Sequence, residues 1–111
     1  MIETKNLSKI YNPGKFEVKA VNNISTLFKE GEFTSVVGPS GSGKTTFLNC
    51  VGGLDQPTSG EVIISGENIT KLSGSKIINY RLNNIGFVFQ AYNLIPVLSA
   101  KENIEMIMLL Q

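Results

Sequence analysis

Hydrophobic and polar positions follow two rhythms along the chain, and the switches between them mark out its elements. From Ile2 to Tyr11 apolar and polar residues alternate loosely, which predicts a strand, and Asn12-Pro13-Gly14 then supplies turn chemistry. Two short strands are predicted next, Phe16 to Val21 and Ile24 to Phe28, with Asn22-Asn23 between them. After the polar turn Lys29-Glu30-Gly31-Glu32, the β-branched run Phe33-Thr34-Ser35-Val36-Val37 is bounded by glycine on both sides. That pattern predicts a short buried strand. The rhythm then becomes helical: Phe47, Leu48, Val51 and Leu54 predict an amphipathic helix from Thr45 to Leu54, with Gly52-Gly53 marking its exit. Pro57-Thr58-Ser59-Gly60 is a tight turn, followed by a predicted strand from Glu61 to Ser65 and a second turn at Gly66. A weakly patterned helix is expected from Ser75 to Leu82, and a last short strand from Ile85 to Phe89 stops at Gln90. Ser99, three residues ahead of Glu102, forms a capping box that opens a final helix. Ile104, Ile107, Met108 and Leu110 carry that helix to Gln111 without a C-cap or a breaker, which predicts a chain cut short.

Composition narrows this picture. Hydrophobic residues make up 41% of 111 residues and charged residues 17%, the balance of a folded domain. A net charge of +1 offers no basic field for nucleic acid or an anionic membrane. The chain contains no histidine, which excludes a histidine triad or a histidine metal site within it. Its one cysteine, Cys50, lies on the helix after the glycine-rich loop and reads as a small buried apolar residue. The opening Met1-Ile2-Glu3-Thr4-Lys5 is too polar for a secretory signal, and no run of apolar residues is long enough to span a bilayer.

The chemistry concentrates in Gly38-Pro39-Ser40-Gly41-Ser42-Gly43-Lys44-Thr45, a full match to G-x-x-x-x-G-K-[ST]. Its glycines let backbone N–H groups approach phosphate oxygens, and the helix that follows aims its positive end at the same anion. Lys44 brings a full charge to the β- and γ-phosphates, and the Thr45 hydroxyl is a magnesium ligand. Thr46 continues the helix, and its N–H can reach phosphate. The context fits as well, with a buried-type strand leading in and an amphipathic helix leading out. These residues predict binding of a nucleoside triphosphate with Mg²⁺.

Over essentially its whole length the sequence resembles the N-terminal half of the ATP-binding domain of ABC transporters. The resemblance rests on Tyr11, Gly38 to Thr46, Gly53-Leu54-Asp55-Gln56-Pro57-Thr58-Ser59-Gly60 and Ile85-Gly86-Phe87-Val88-Phe89-Gln90. Ala91-Tyr92-Asn93-Leu94-Ile95-Pro96 with Ala100-Lys101-Glu102-Asn103-Ile104 is most similar to the lipoprotein-release and macrolide-export branch. The resemblance implies an α/β, three-layer P-loop fold with an antiparallel β portion, truncated, over residues 1–111. It implies ATP and Mg²⁺ as ligands and Tyr11 as the aromatic that stacks on adenine. It also makes Gln90 the glutamine that touches magnesium and the attacking water and senses the membrane domain. Lys44 and Gln90 are then the candidate catalytic residues. The implied partners are a transmembrane permease and a second ATP-binding domain, at the inner face of the cell membrane and without nucleic acid.

Some features stand apart from that pattern. Leu72-Ser73-Gly74-Ser75-Lys76 is similar to the start of the family's Leu-Ser-Gly-Gly-Gln signature, but it precedes Gln90 and reads as a loop entering a helix. Asp55 is a carboxylate on the nucleotide side, and turn chemistry after a helix accounts for it. No apolar strand ending in Asp-Glu follows Gln90, so the family's Walker B aspartate and general-base glutamate are missing. A non-catalytic nucleotide-binding or interaction module is therefore an alternative for this polypeptide. A small P-loop kinase would need an arginine-rich lid, and Arg81 is the only arginine. No Asn-Lys-x-Asp guanine reader is present to support a GTPase.

Overall fold

The computed structural model describes residues 1–12, 14, 16–91 and 93–109, without the side chain of Ile107. Pro13 of the predicted turn, Tyr92 of the family-like segment and the expected helix end at Leu110-Gln111 lie outside the described residues. The elements are β1 (Ile2–Tyr11), β2 (Val18–Phe28), α1 (Lys44–Val51), β3 (Ser59–Ile64), β4 (Glu67–Asn68), a 3₁₀ turn (Ile69–Lys71), α2 (Ser75–Asn84) and α3 (Ala100–Leu109).

The strands form one antiparallel sheet in the order β2-β1-β3-β4. β1 lies at its centre, pairing Ile2 with Phe28 on one side and with Ile64 on the other. The two strands expected at 16–21 and 24–28 are one strand, β2. Asn23 adopts a left-handed φ of 52° within it, and its N–H donates to Ser8 Oγ at 2.9 Å, so the Asn-Asn step is absorbed as an irregularity of the ladder. Leu7, Val21, Phe47, Cys50, Val62, Ile64 and Ile69 form the buried core where α1 packs against the sheet. Thr4 is buried among them at no polar cost. Its hydroxyl donates to the Ile24 carbonyl at 3.1 Å and accepts from the Thr26 N–H at 3.1 Å.

Two predicted strands are not paired. Residues 33–37 and 85–89 run without a ladder, and no strand neighbours them among the described residues. A strand needs a partner for its N–H and C=O groups, and hydrophobic composition alone does not supply one. Phe33, Val37 and Val88 are consequently almost fully exposed. The predicted helices do form, with small shifts at their ends. α1 stops at Val51 because Gly52 and Gly53 close its last turn, with Gly53 at φ 66°. The capping box at α3 is built as expected: the Ser99 N–H donates to Glu102 Oε2 at 2.8 Å, and the Glu102 N–H donates to Ser99 Oγ at 3.3 Å.

Candidate functional site

The glycine-rich loop delivers its lysine through a local geometry that only one residue type allows. Gly43, the N-cap of α1, has φ 87°, and a Cβ there would stand 2.0 Å from the Ala20 carbonyl oxygen of β2. A left-handed turn pressed against a strand backbone therefore requires glycine. No side chain caps α1, so the N–H groups of its first turn face the loop with the positive end of the helix dipole. Lys44 Nζ folds back over the loop and donates to the carbonyls of Gly38 at 2.8 Å and Pro39 at 2.7 Å. Residues 38–42 are exposed throughout, and Thr45 is exposed while Thr46 is half-buried. The donor set therefore suits a polyanion: free backbone N–H groups, one ammonium and a helix N-terminus.

Gln90 reaches a cleft beside α1 through packing. The Phe87 ring lies against Gly52, where a Cβ would stand 2.6 Å from a ring carbon, and Phe87 stacks on Phe89 at 5.8 Å between centroids. This seats the 85–90 stretch along the helix. Thr45, Leu48, Gly52, Phe87 and Gln90 then line one open cleft of about 570 Å³. Thr45 and Gln90, distant in sequence, thus share a cleft in which oxygen ligands for a small hard cation can be assembled.

Tyr11 ends β1, is 38% exposed, and is fixed by residues from the turn after α1. Its hydroxyl donates to Asp55 Oδ2 at 2.8 Å, and Lys9 Nζ donates to Asp55 Oδ1 at 2.6 Å. The Asp55 carboxylate, accepting that bond, pushes the Tyr11 phenol above its ordinary value, and Thr46 acts in the opposite direction. Lys9 holds the Asp55 carboxyl below its ordinary range, and Asp55 in turn raises Lys9. Asp55 is thus more than local turn chemistry, contrary to the sequence reading: it ties the α1 exit to the end of β1. Sequence periodicity carries no signal for that contact, because 44 residues separate the partners.

The remaining candidates fall into structural roles. Arg81 Nη1 donates to the Gly53 carbonyl at 2.8 Å, which commits the only arginine to the end of α1. Cys50 is buried in the core, and burial raises its thiol pKa, which removes nucleophilic character. Residues 72–74 form the loop into α2, with Gly74 at its N-cap.

Comparison with known proteins supplies the family. A family model described as ABC transporter matches residues 21–110. The chain belongs to the ABC transporter family. It is similar to an uncharacterized ABC transporter ATP-binding protein, MJ0796, of Methanocaldococcus jannaschii, with 48% identity over 96% of this chain and 45% of that protein. It is also similar to the macrolide export ATP-binding/permease protein MacB of Hyphomonas neptunium, with 42% identity over 95% of this chain and 16% of that protein. Among solved structures, the dimeric ATP-binding cassette MJ0796 in a post-hydrolysis state bound to ADP and Pi superposes with a TM-score of 0.91 at 45% identity. That match covers 99% of this chain and 47% of the cassette. The chain therefore spans less than half the length of these ABC relatives and shares their fold over that span.

Proposed function

We propose that residues 1–111 are the N-terminal part of one ABC-type ATP-binding domain, which binds Mg-ATP to power membrane transport in the export direction. The observation that carries this reading is the loop itself. Gly43 forces the chain into α1 with its N-terminal N–H groups uncapped, and Lys44 hangs over the same loop on two carbonyl hydrogen bonds. An incoming triphosphate offers Lys44 stronger, charge-assisted partners than those carbonyls, so the lysine exchanges loop oxygens for phosphate oxygens. Gly38, Pro39, Ser40, Gly41, Ser42 and Gly43 supply the backbone cradle, and Thr46 adds an N–H. Thr45 and Gln90 would hold Mg²⁺, which when bound screens phosphate charge. Tyr11 offers its ring to adenine.

In this reading a second ATP-binding domain and a membrane permease are the partners. In the same reading the domain lies at the inner face of the membrane beside the permease; no helix among the described residues is long and apolar enough to cross a bilayer. The MacB relative, an ATP-binding/permease protein for macrolide export, supports both the permease partner and the direction. The bare faces at 33–37 and 85–89 fit a domain whose further strands would cover them. Lys44 and Gln90 alone do not activate water, so hydrolysis belongs to the complete domain and the 111-residue chain acts as a nucleotide-binding module. Calorimetric titration with Mg-ATP beside a phosphate-release assay tests this. Binding lost in Lys44→Ala with no turnover is the expected result. Turnover by the 111-residue chain that disappears in Lys44→Ala would overturn the division between cradle and catalytic half.

A further inference from the structure

The polar cluster around Asp55 joins residues far apart in the chain. Besides the bonds from Tyr11 and Lys9, Lys9 Nζ donates to the Gln56 carbonyl at 2.7 Å and stands 5.0 Å from the centroid of the Tyr11 ring. The phenol is therefore held at its oxygen by a carboxylate and over its ring by an ammonium, and the two constraints together restrict both its rotamer and its ring plane. The backbone is stitched at the same place: the Thr58 N–H donates to the Ser8 carbonyl at 2.8 Å, and the Ile10 N–H donates to Thr58 Oγ1 at 2.9 Å. The Lys9 side chain is only 13% exposed and that of Asp55 30%, so the anchor is sheltered while Tyr11 is presented to solvent.

A plain turn staple would need only the Thr58 bonds and the Lys9–Asp55 pair. The bond from the Tyr11 hydroxyl goes beyond that staple, because it fastens the tip of a side chain that otherwise projects from the end of a strand. We propose that Asp55 is a positioning residue that holds the Tyr11 ring in its base-stacking orientation before nucleotide arrives. The inference rests on the reading of Tyr11 as the adenine platform. Ordering an aromatic side chain at the moment of binding costs affinity, and a ring ordered in advance avoids that cost. The expected contribution is about two- to tenfold in ATP affinity, the range set by one immobilised side chain.

Calorimetric titration with Mg-ATP and with magnesium tripolyphosphate, which has no base, separates the possibilities in the protein, three single variants and one double variant. Tyr11→Ala tests the platform: it weakens ATP and leaves tripolyphosphate unchanged. Tyr11→Phe keeps the ring and deletes only the hydroxyl that Asp55 holds, and it loses about two- to tenfold for ATP alone. Asp55→Ala produces the same selective loss, and it adds nothing further when combined with Tyr11→Ala. Equal weakening of both ligands in Asp55→Ala, or a Tyr11→Phe that binds ATP as well as the parent, overturns the inference while the platform stands. A Tyr11→Ala that leaves ATP affinity unchanged removes the platform itself, and the inference falls with it.

Discussion

The antiparallel sheet and the two unpaired stretches are built from the same kinds of residue and meet opposite fates. In the sheet, Leu7 and Val62 are fully buried; in the stretches, Phe33 is 97% exposed and Val88 is fully exposed. Both regions are rich in β-branched and aromatic side chains, so intrinsic preference does not separate them. What separates them is neighbours. β1 has a partner on each edge and α1 over its face, whereas 33–37 and 85–89 have no paired strand among the described residues, and in 85–89 only Ile85 and Phe87 pack inward. Burial is thus a property of the assembly of elements, and the region that carries the phosphate loop is the less supported of the two. The loop nevertheless has a defined shape, because Lys44 bonds the carbonyls of its own loop and Gly43 presses against the β2 backbone.

The largest expected effect tests the burial contrast directly. Leu7→Ala removes a side chain from the middle of the core and lowers stability by about 2–5 kcal/mol in denaturant titration, while Val88→Ala stays within about 0.5 kcal/mol. Equal losses at the two positions would show that the 85–89 stretch is packed in solution. Next comes the autonomy of the loop. Lys44→Ala lowers Mg-ATP affinity about ten- to hundredfold, as expected for charge-assisted bonds, yet leaves the melting temperature close to the parent. A coincident loss of stability would mean that the Lys44 bonds to Gly38 and Pro39 support the fold.

Smaller effects refine the comparison at its edges. Ser99→Ala breaks the capping box and costs about 1 kcal/mol, read as faster hydrogen exchange in the first turn of α3 and not in the sheet. The Lys9–Asp55 pair contributes a pH window. Asp55 titrates below its ordinary value of 3.8, so its stabilisation is complete above that value and is lost as pH falls through the lowered pKa. Lys9 titrates above its ordinary 10.5, so its share is complete below that value and is lost as pH rises through the raised pKa. The tie between β1 and the α1 exit therefore holds across the neutral range. The melting-temperature profile of Asp55→Ala approaches that of the parent at the acid end, and again as Lys9 loses its charge at high pH; an offset that stays constant into strong acid would contradict the linkage.

Much of the fold was legible because it is local. The helix around Phe47, the loop from Gly38 to Thr45, the capping box at Ser99 and Glu102, and the helix before Gln90 all follow from spacing, turn chemistry or a short motif. The misreadings arise where a neighbour decides. Asn22-Asn23 looked like a break, yet β1 holds β2 continuous across it by bonding Asn23 through Ser8. Residues 33–37 and 85–89 carry strand composition and remain unpaired, because a ladder needs a second chain segment at hydrogen-bonding distance.

The candidate site divides the same way. The sequence by itself marked out the candidate phosphate-binding residues, since glycines, an ammonium and a hydroxyl in fixed spacing act through backbone geometry over a few residues. It also determined the family, which rests on that spacing and on the segments around Gln90. Only the tertiary structure decided that Thr45 and Gln90 share a cleft, that Arg81 is occupied by the Gly53 carbonyl, and that Asp55 reaches back to Tyr11 and Lys9. Those contacts join residues tens of positions apart. Their existence depends on how β1, α1 and α2 pack against one another, and no local pattern records that packing.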